Sequence, residues 1–241
     1  MAIEKAMEIE KEYLALKFSD SVIPRDIIRF QFKHKILLQG FKTLNEFSKA
    51  KQSFIFKNTK FKIANTSPET VILDIQKAVK SKSNVWYNYY NGQKLVYVGK
   101  NKTYNKKYCK DNKITVIPFL YNGGMIVTTE FDYGLVIVAN KRNLINKLQE
   151  QLQTALKNLG IETVIDGNDL LIKDYKVIGG AKKNLTETYT CYYFQISFKV
   201  NLDDINNICN KKMIKVPKGI NNFYPNVTRE MLWGELQKWL I

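Results

Sequence analysis

Asn168-Asp169-Leu170-Leu171-Ile172, followed by Lys176-Val177-Ile178-Gly179-Gly180-Ala181, is the stretch on which the reading of this chain turns. The first block reads as a short apolar strand entered through an Asn-Asp pair. The second reads as a strand running into paired glycines. Together they put a carboxylate, an amide and a lysine beside a backbone with almost no side-chain cover. That set suits an activated, phosphate-bearing acyl group. Asp169 can hold a metal ion on phosphates. Lys176 can neutralise an acyl-phosphate oxygen as a compact point charge. Gly179 and Gly180 let a ligand approach the main chain closely. A plainer reading stands beside this one: a β-hairpin with Asp174-Tyr175 as its turn and the glycines as a bulge.

Outward from this stretch, hairpins and helices alternate. Strands fit Phe54–Phe56, Phe61–Ile63, Val85–Tyr90 and Leu95–Val98, the last two joined by Asn91-Gly92 as a hairpin signal. Further strands fit Ile114–Ile117, Met125–Thr129, Leu135–Val138, Glu162–Ile165 and Tyr189–Val200. Ser67-Pro68-Glu69 reads as a helix start, with Val71, Ile72, Ile75, Ala78 and Val79 as its buried face. Leu144, Leu148, Leu152, Ala155, Leu156 and Leu159 mark a second helix that stops at Gly160. A closing helix carries Met231, Leu232, Leu236 and Leu240, with Trp233 and Trp239 for packing. The pattern predicts an α+β domain, a mainly antiparallel sheet flanked by helices. Residues 1–52 read as a separate helical extension, and residues 53–241 as the domain. Gly123-Gly124 and Gly179-Gly180 match neither a P-loop nor a dinucleotide-binding fingerprint.

Composition narrows the chemistry. The 241 residues carry 38 Lys and Arg against 22 Asp and Glu, a net charge of +16. A negatively charged partner, either an acidic protein or nucleic acid, fits that surplus, and so does simple coding bias toward Lys and Asn. Arginine is scarce, which argues against bidentate readout of bases. Cys109, Cys191 and Cys209 lack zinc or disulfide spacing. The single histidine, His34, sits between lysines and argues against a His-based metal site or a Ser-His-Asp triad. No apolar run approaches the length of a membrane span, and the charged N-terminus has no signal-peptide character. A cytoplasmic protein with no membrane association is the expectation.

The ordered motifs resemble the lipoate–protein ligase family, within the wider group of biotin ligases and octanoyltransferases. The family's N-D-hydrophobic segment and K-[IV]-x-G-x-A segment match Asn168-Asp169 and Lys176 to Ala181. Val96-Tyr97-Val98-Gly99-Lys100-Asn101-Lys102 is similar to its G-[RK]-N-Q strand, and Asn122-Gly123-Gly124-Met125 stands where the family has S-G-G-G. Lys218-Gly219-Ile220 and Asn226-Val227-Thr228 resemble its K-G-I…R-V-T segment. The likeness spans about Ser67 to Thr228.

The resemblance implies an ATP-dependent ligase. ATP and Mg²⁺ would activate a small carboxylic acid as an acyl-adenylate, which then acylates a lysine on an acidic, lipoyl-type carrier. Lys176 would be catalytic. Asn168 and Asp169 would position the nucleotide, with Asp169 on the metal. Gly123 and Gly124 would pass beneath the acyl chain, and Gly179, Gly180 and Ala181 would leave room for the adenylate. Lys100 and Lys102 would meet phosphates or form a solvated face.

Departures concentrate in the acyl-binding half. Pro118-Phe119-Leu120-Tyr121 replace the family's paired arginines, Met125 its third glycine, Thr129-Glu130 its His-Asp pair, and Tyr192-Tyr193 its two histidines. Val216-Pro217-Lys218-Gly219 stands where octanoyltransferases have a nucleophilic P-C-G cysteine. Many family members also carry a C-terminal accessory domain for the activation step, and this sequence ends soon after the catalytic-type segment. Two alternatives therefore stand beside the ligase. One is an acyltransferase on the same fold. The other is a catalytically degenerate relative that binds protein, or non-specifically nucleic acid, through its basic surface.

Overall fold

A computed structural model of the chain describes residues 3–8, 10, 44–57, 59–90, 94–100, 102–119, 124–140, 144–209, 213 and 215–240. His34, Asn91-Gly92, Asn101, Leu120 to Gly123 and residues 11–43 of the expected helical extension lie outside the described residues. The chain divides into two compact units, Met1–Lys60 and Phe61–Ile241, a boundary eight residues beyond the one the sequence suggests. In the first unit, residues 3–8 are helical and α1 spans Leu44–Lys57. Ala6 and Phe47 are buried together, with Ile3 and Met7 against them. Phe54–Phe56, expected as a strand, lies inside α1. Three apolar residues in a row are compatible with either period, and the helix takes them.

Among the described residues, the second unit holds ten strands. β1 (Lys62–Asn65), β2 (Val85–Tyr90), β6 (Tyr133–Ala139), β10 (Thr190–Ile196), β9 (Tyr175–Asn184), β8 (Asp169–Ile172) and β7 (Val164–Asp166) form one sheet in that spatial order. β4 (Thr115–Phe119), β3 (Leu95–Gly99) and β5 (Met125–Thr128) form a second, smaller sheet. Only the β1–β2 and β3–β4 pairs are parallel among these neighbours. The mainly antiparallel α+β expectation therefore holds.

One hairpin expectation does not. β2 pairs with β1 and β6, whereas β3 pairs with β4 and β5. The strands on either side of Asn91-Gly92 thus join different sheets. A turn dipeptide specifies a chain reversal, but it cannot specify that the two strands pair with each other.

Strand alternation builds two packed layers. Val85, Tyr87 and Tyr89 of β2 share a face with Val136, Val138, Cys191 and Tyr193. Helix α2 (Val71–Lys80) covers this face with Val71, Ile75 and Ala78, and the small sheet covers it with Leu95, Tyr97, Ile117 and Phe119. Ser67 accepts backbone bonds from Thr70 and Val71, so α2 begins one turn after Ser67-Pro68. The opposite face meets α4 (Ile145–Asn158) and α6 (Arg229–Leu240). There the Leu144 amide donates to the Tyr192 hydroxyl at 3.0 Å, and the Tyr133 and Trp233 rings lie 5.8 Å apart. Helix α4 buries Leu148, Leu152 and Leu156 at the predicted spacing and ends before Gly160, whose φ of +77° is the left-handed stop. Two short helices, α3 (Lys106–Asp111) and α5 (Leu202–Ile208), complete the unit.

Candidate functional site

A cavity of about 630 Å³ opens between the two sheets. That is within the usual range for small-molecule pockets, about 300–1,000 Å³. Its small-sheet wall carries Tyr97, Gly99, Phe119, Gly124 and Met125, and its large-sheet wall carries Asp169, Lys176, Gly179, Gly180, Ala181, Tyr193 and Gln195. Six residues singled out in the sequence, Gly124, Asp169, Lys176, Gly179, Gly180 and Ala181, therefore line one space.

The central stretch forms the expected hairpin, with its turn and its bulge placed differently. β8 and β9 pair antiparallel around a turn at Lys173-Asp174, one residue earlier than expected, with Lys173 at φ +54°. The irregularity in register falls between Leu170 and Leu171 rather than at the glycines. Gly179 and Gly180 stay in register with Gln195 and Phe194 of β10.

The two glycines serve different ends. A Cβ on Gly180 would lie 2.1 Å from the Asn168 carbonyl oxygen and 3.0 Å from the Phe194 ring, so no side chain fits. A Cβ on Gly179 would lie 3.7 Å from Lys176 Nζ and 3.8 Å from Asp169 Oδ1. The bare backbone at Gly179 is thus where the ammonium and the carboxylate converge. The Asn168 side chain is exposed on the β7–β8 turn and is not part of the cavity wall. Its carbonyl against Gly180 is what Asn168 contributes. Of the two lysines after Gly99, Lys102 lines the cavity and Lys100 does not.

Lys176 is held by its main chain. Its amide donates to the Val216 carbonyl at 3.0 Å, and its carbonyl accepts from the Lys218 amide at 3.0 Å. The Lys218-Gly219-Ile220 motif is the other half of that clasp. A Cβ on Gly219 would lie 2.3 Å from the Phe198 carbonyl oxygen, so this segment can only approach the main chain just after β10 with glycine there. The Lys218 ammonium itself stands over the Tyr175 and Phe223 rings at 4.6 and 4.9 Å.

The half of the site where the sequence departs from the motifs is a packed aromatic wall. Tyr97, Phe119 and Tyr193 meet edge to face at 5.0–6.2 Å between ring centroids. Tyr89 donates to the Tyr193 hydroxyl at 2.7 Å, which donates to Gln195 Oε1 at 2.8 Å. Burial raises the pKa of Tyr89 and Tyr193 well above the ordinary phenol value, so these hydroxyls are neutral. The Tyr89 ring lies over Gly134, where a Cβ would be 2.1 Å from the ring carbon. Tyr189, Tyr192 and Tyr193 are all buried and pack within the fold.

The family model described as the lipoyl protein ligase A/B catalytic domain matches residues 73–232. The chain belongs to that family. Comparison by sequence with curated proteins finds no match. Solved structures share the fold at low identity. LipL1 of P. falciparum, in complex with lipoate, matches with a TM-score of 0.63 and 16% identity, over 74% of this chain and 61% of that one. A lipoate-protein ligase A bound with ATP matches with a TM-score of 0.63 and 15% identity, over 75% and 83%. A bi-partite lipoate protein ligase from T. acidophilum, studied with its E2 lipoyl domain, gives 0.62 and 12%, over 75% and 81%.

Two residues of this lipoyl protein ligase family chain escape a reading of the motifs. Lys215 lines the cavity and bonds Asp169 Oδ2 at 3.1 Å, Asp166 Oδ2 at 2.9 Å and the Asp166 carbonyl at 2.9 Å. Its hydrogen bonds to Asp166 and Asp169 raise its pKa above the ordinary lysine value. The only sequence signal was its place two residues before Pro217-Lys218-Gly219. Asp132, also in the wall, is 1% exposed. It accepts from the Thr129 amide at 2.9 Å and the Phe198 amide at 3.0 Å. Burial pushes its pKa up to about 7 despite those bonds.

The carboxylate at Asp169 does not make a metal site as it stands. Oδ1 accepts from the Gly180 amide at 3.4 Å and Oδ2 from Lys215. Among the described residues, no group of three or more His, Cys, Asp or Glu side chains is placed to hold a metal ion. An ammonium stands where the sequence led us to expect Mg²⁺. No helix among the described residues is long and apolar enough to cross a membrane.

Proposed function

We propose that the chain is an ATP-dependent acyl–protein ligase acting on lipoate or a related acid. The observation that carries this reading is the convergence of Lys176, Asp169 and the bare Gly179 backbone in one cavity with Gly124 and Ala181. In the first half-reaction, a carboxylate oxygen of the acid attacks the α-phosphorus of ATP, and pyrophosphate leaves. In the second, the amine of a carrier lysine attacks the acyl carbonyl, the amine proton is lost, and AMP leaves.

The residues contribute by placement. Lys176 neutralises charge at the acyl-phosphate oxygens, a task suited to a point charge held at its backbone on both sides. Gly179, Gly180 and Ala181 leave the strand open to the nucleotide. Tyr97, Phe119, Met125 and Tyr193 wall the acyl chain and exclude water, which strengthens the nearby charges. The ATP-bound relative supports ATP as co-substrate, and the relative studied with its E2 lipoyl domain supports a lipoyl-type domain as acceptor, which we take to be acidic. The +16 charge is complementary to such an acceptor.

The transferase alternative needs a cysteine nucleophile. Cys209 reaches the cavity wall, but burial raises its pKa, so it is a poor thiolate. Cys191 is fully buried in the core between sheet and helix.

The direct test is incubation with ATP, lipoate and a lipoyl domain. A lipoyl mass increment on the acceptor lysine, with release of AMP and pyrophosphate, is the expected outcome. Acceptor modification from an acyl carrier thioester without ATP would instead establish the transferase. No modification under either condition would favour the binding protein.

A further inference from the structure

The disagreement at Asp169 points to a specific device. A lysine ammonium has three hydrogens, and in Lys215 all three have acceptors: Asp169 Oδ2, Asp166 Oδ2 and the Asp166 carbonyl. Lys215 is thereby held at the cavity wall, with its side chain 27% exposed. Asp169 Oδ1 and Lys176 Nζ both lie within 4 Å of the same point above Gly179. The point above Gly179 thus has one lysine near it directly, and a second lysine bonded to the carboxylate next to it.

Magnesium gives up its waters reluctantly and demands octahedral oxygen donors. At Asp169 it would have to displace an ammonium from two carboxylates and then sit beside that ammonium. Two cations at contact distance repel strongly in a partly buried site. The lysine already supplies the positive charge, with its desolvation offset by bonds to two carboxylates. The Asp166 side chain is 54% exposed, so its bond to Lys215 is the one most readily exchanged for a phosphoryl oxygen.

We propose that the Lys215 ammonium, rather than a divalent ion bound by the protein, is the second cation that meets the phosphoryl oxygens of an acyl-adenylate here, with Asp166 and Asp169 as its positioning residues. The proposal rests on the ligase reading of the cavity. Asp169 then acts through Lys215 and not through a metal.

Two measurements on the full chain test it. The first is manganese binding without nucleotide, followed by electron paramagnetic resonance of free Mn²⁺. Wild type takes up no Mn²⁺ at Asp169. Lys215→Ala leaves Asp166 and Asp169 without their cation and gains a Mn²⁺ site, which Asp169→Asn in the same background removes. Mn²⁺ bound by wild type and lost in Asp169→Asn alone overturns the proposal, as does no gain in the alanine variant.

The second is calorimetry with a lipoyl-sulfamoyl adenosine, whose anionic sulfamate stands in for the phosphate. Wild type binds it equally with and without EDTA. Lys215→Met, with an unchanged thermal melt, binds at least about tenfold more weakly, as expected for loss of a hydrogen bond to a charged group. Lys215→Arg recovers part of the loss. Equal binding by Lys215→Met, or binding lost with EDTA, overturns this proposal alone. An analogue that does not bind wild type overturns the ligase reading and the phosphoryl role with it.

Discussion

The carbonyl oxygen of Asn168 occupies the space that a side chain on Gly180 would need, 2.1 Å from the ideal Cβ position. The turn between β7 and β8 is thereby pressed against β9, and Asp169 is delivered beside Gly179. Gly180→Ala must push apart main chain that is hydrogen-bonded on both sides. It is expected to cost about 1–3 kcal/mol or more of stability, measured by urea unfolding. Gly179→Ala is the contrasting case. Its Cβ meets Lys176 and Asp169 at ordinary contact distance, so stability should change by less than about 1 kcal/mol while ligand binding falls. Equal destabilisation by the two variants would contradict the different roles assigned to them.

Lys176→Ala should leave the fold intact, because the residue is held through its backbone bonds to Val216 and Lys218. Acyl-adenylate formation should fall by about 10²–10³-fold, the scale seen when one electrostatic stabiliser is removed. Pyrophosphate release in the presence of lipoate measures it. A variant as active as wild type would remove Lys176 from the chemistry.

Asp132 gives the fold a pH dependence of its own. Its pKa is raised in the folded state to about 7 from the ordinary carboxyl value, chiefly by burial. The folded chain therefore holds a proton that the unfolded chain releases between about pH 4 and pH 7. The stabilising contribution is full below the unfolded pKa and is lost as pH rises through the folded one. Across that window the wild type should lose up to about 1.4 kcal/mol per pH unit relative to Asp132→Asn. Denaturant melts of the two proteins at pH 5 and pH 8 measure the difference. Parallel pH profiles would show that Asp132 is already ionised in the acid range.

The basic surplus predicts a salt-sensitive partner. Binding to an acidic lipoyl domain should weaken as salt rises, with the effect mainly on the association rate. Nucleic acid is the competing partner, and its affinity would fall by about 0.9 log units per log unit of salt for each duplex phosphate neutralised. Titrations against a lipoyl domain and against random DNA and RNA separate the two. Sequence-selective nucleic-acid binding at physiological salt would favour the non-enzymatic reading.

Local signals in this sequence report local structure. The Leu148, Leu152 and Leu156 spacing determines α4, and Gly160 determines where it stops, because only a residue free to take a positive φ ends the helix that way. The Asn168–Ala181 stretch determines the β8–β9 hairpin and the bare backbone at its far side, and the order of its motifs marks the family. Pairing partners were beyond it. The apolar runs of β2 and β3 show that each strand is buried, but not that they join different sheets, since a strand's edge is satisfied by any neighbour in register. The run Phe54–Phe56 fits a helix as well as a strand, and only its place in α1 decides. Lys215 and Asp132 were illegible for the same reason. Each acquires its environment from residues distant in sequence: Asp166 and Asp169 for the lysine, the Phe198 amide and dense burial for the aspartate. Lys215 becomes a fixed cation through its two carboxylate partners, and Asp132 holds its proton up to about pH 7 because burial removes water from around it.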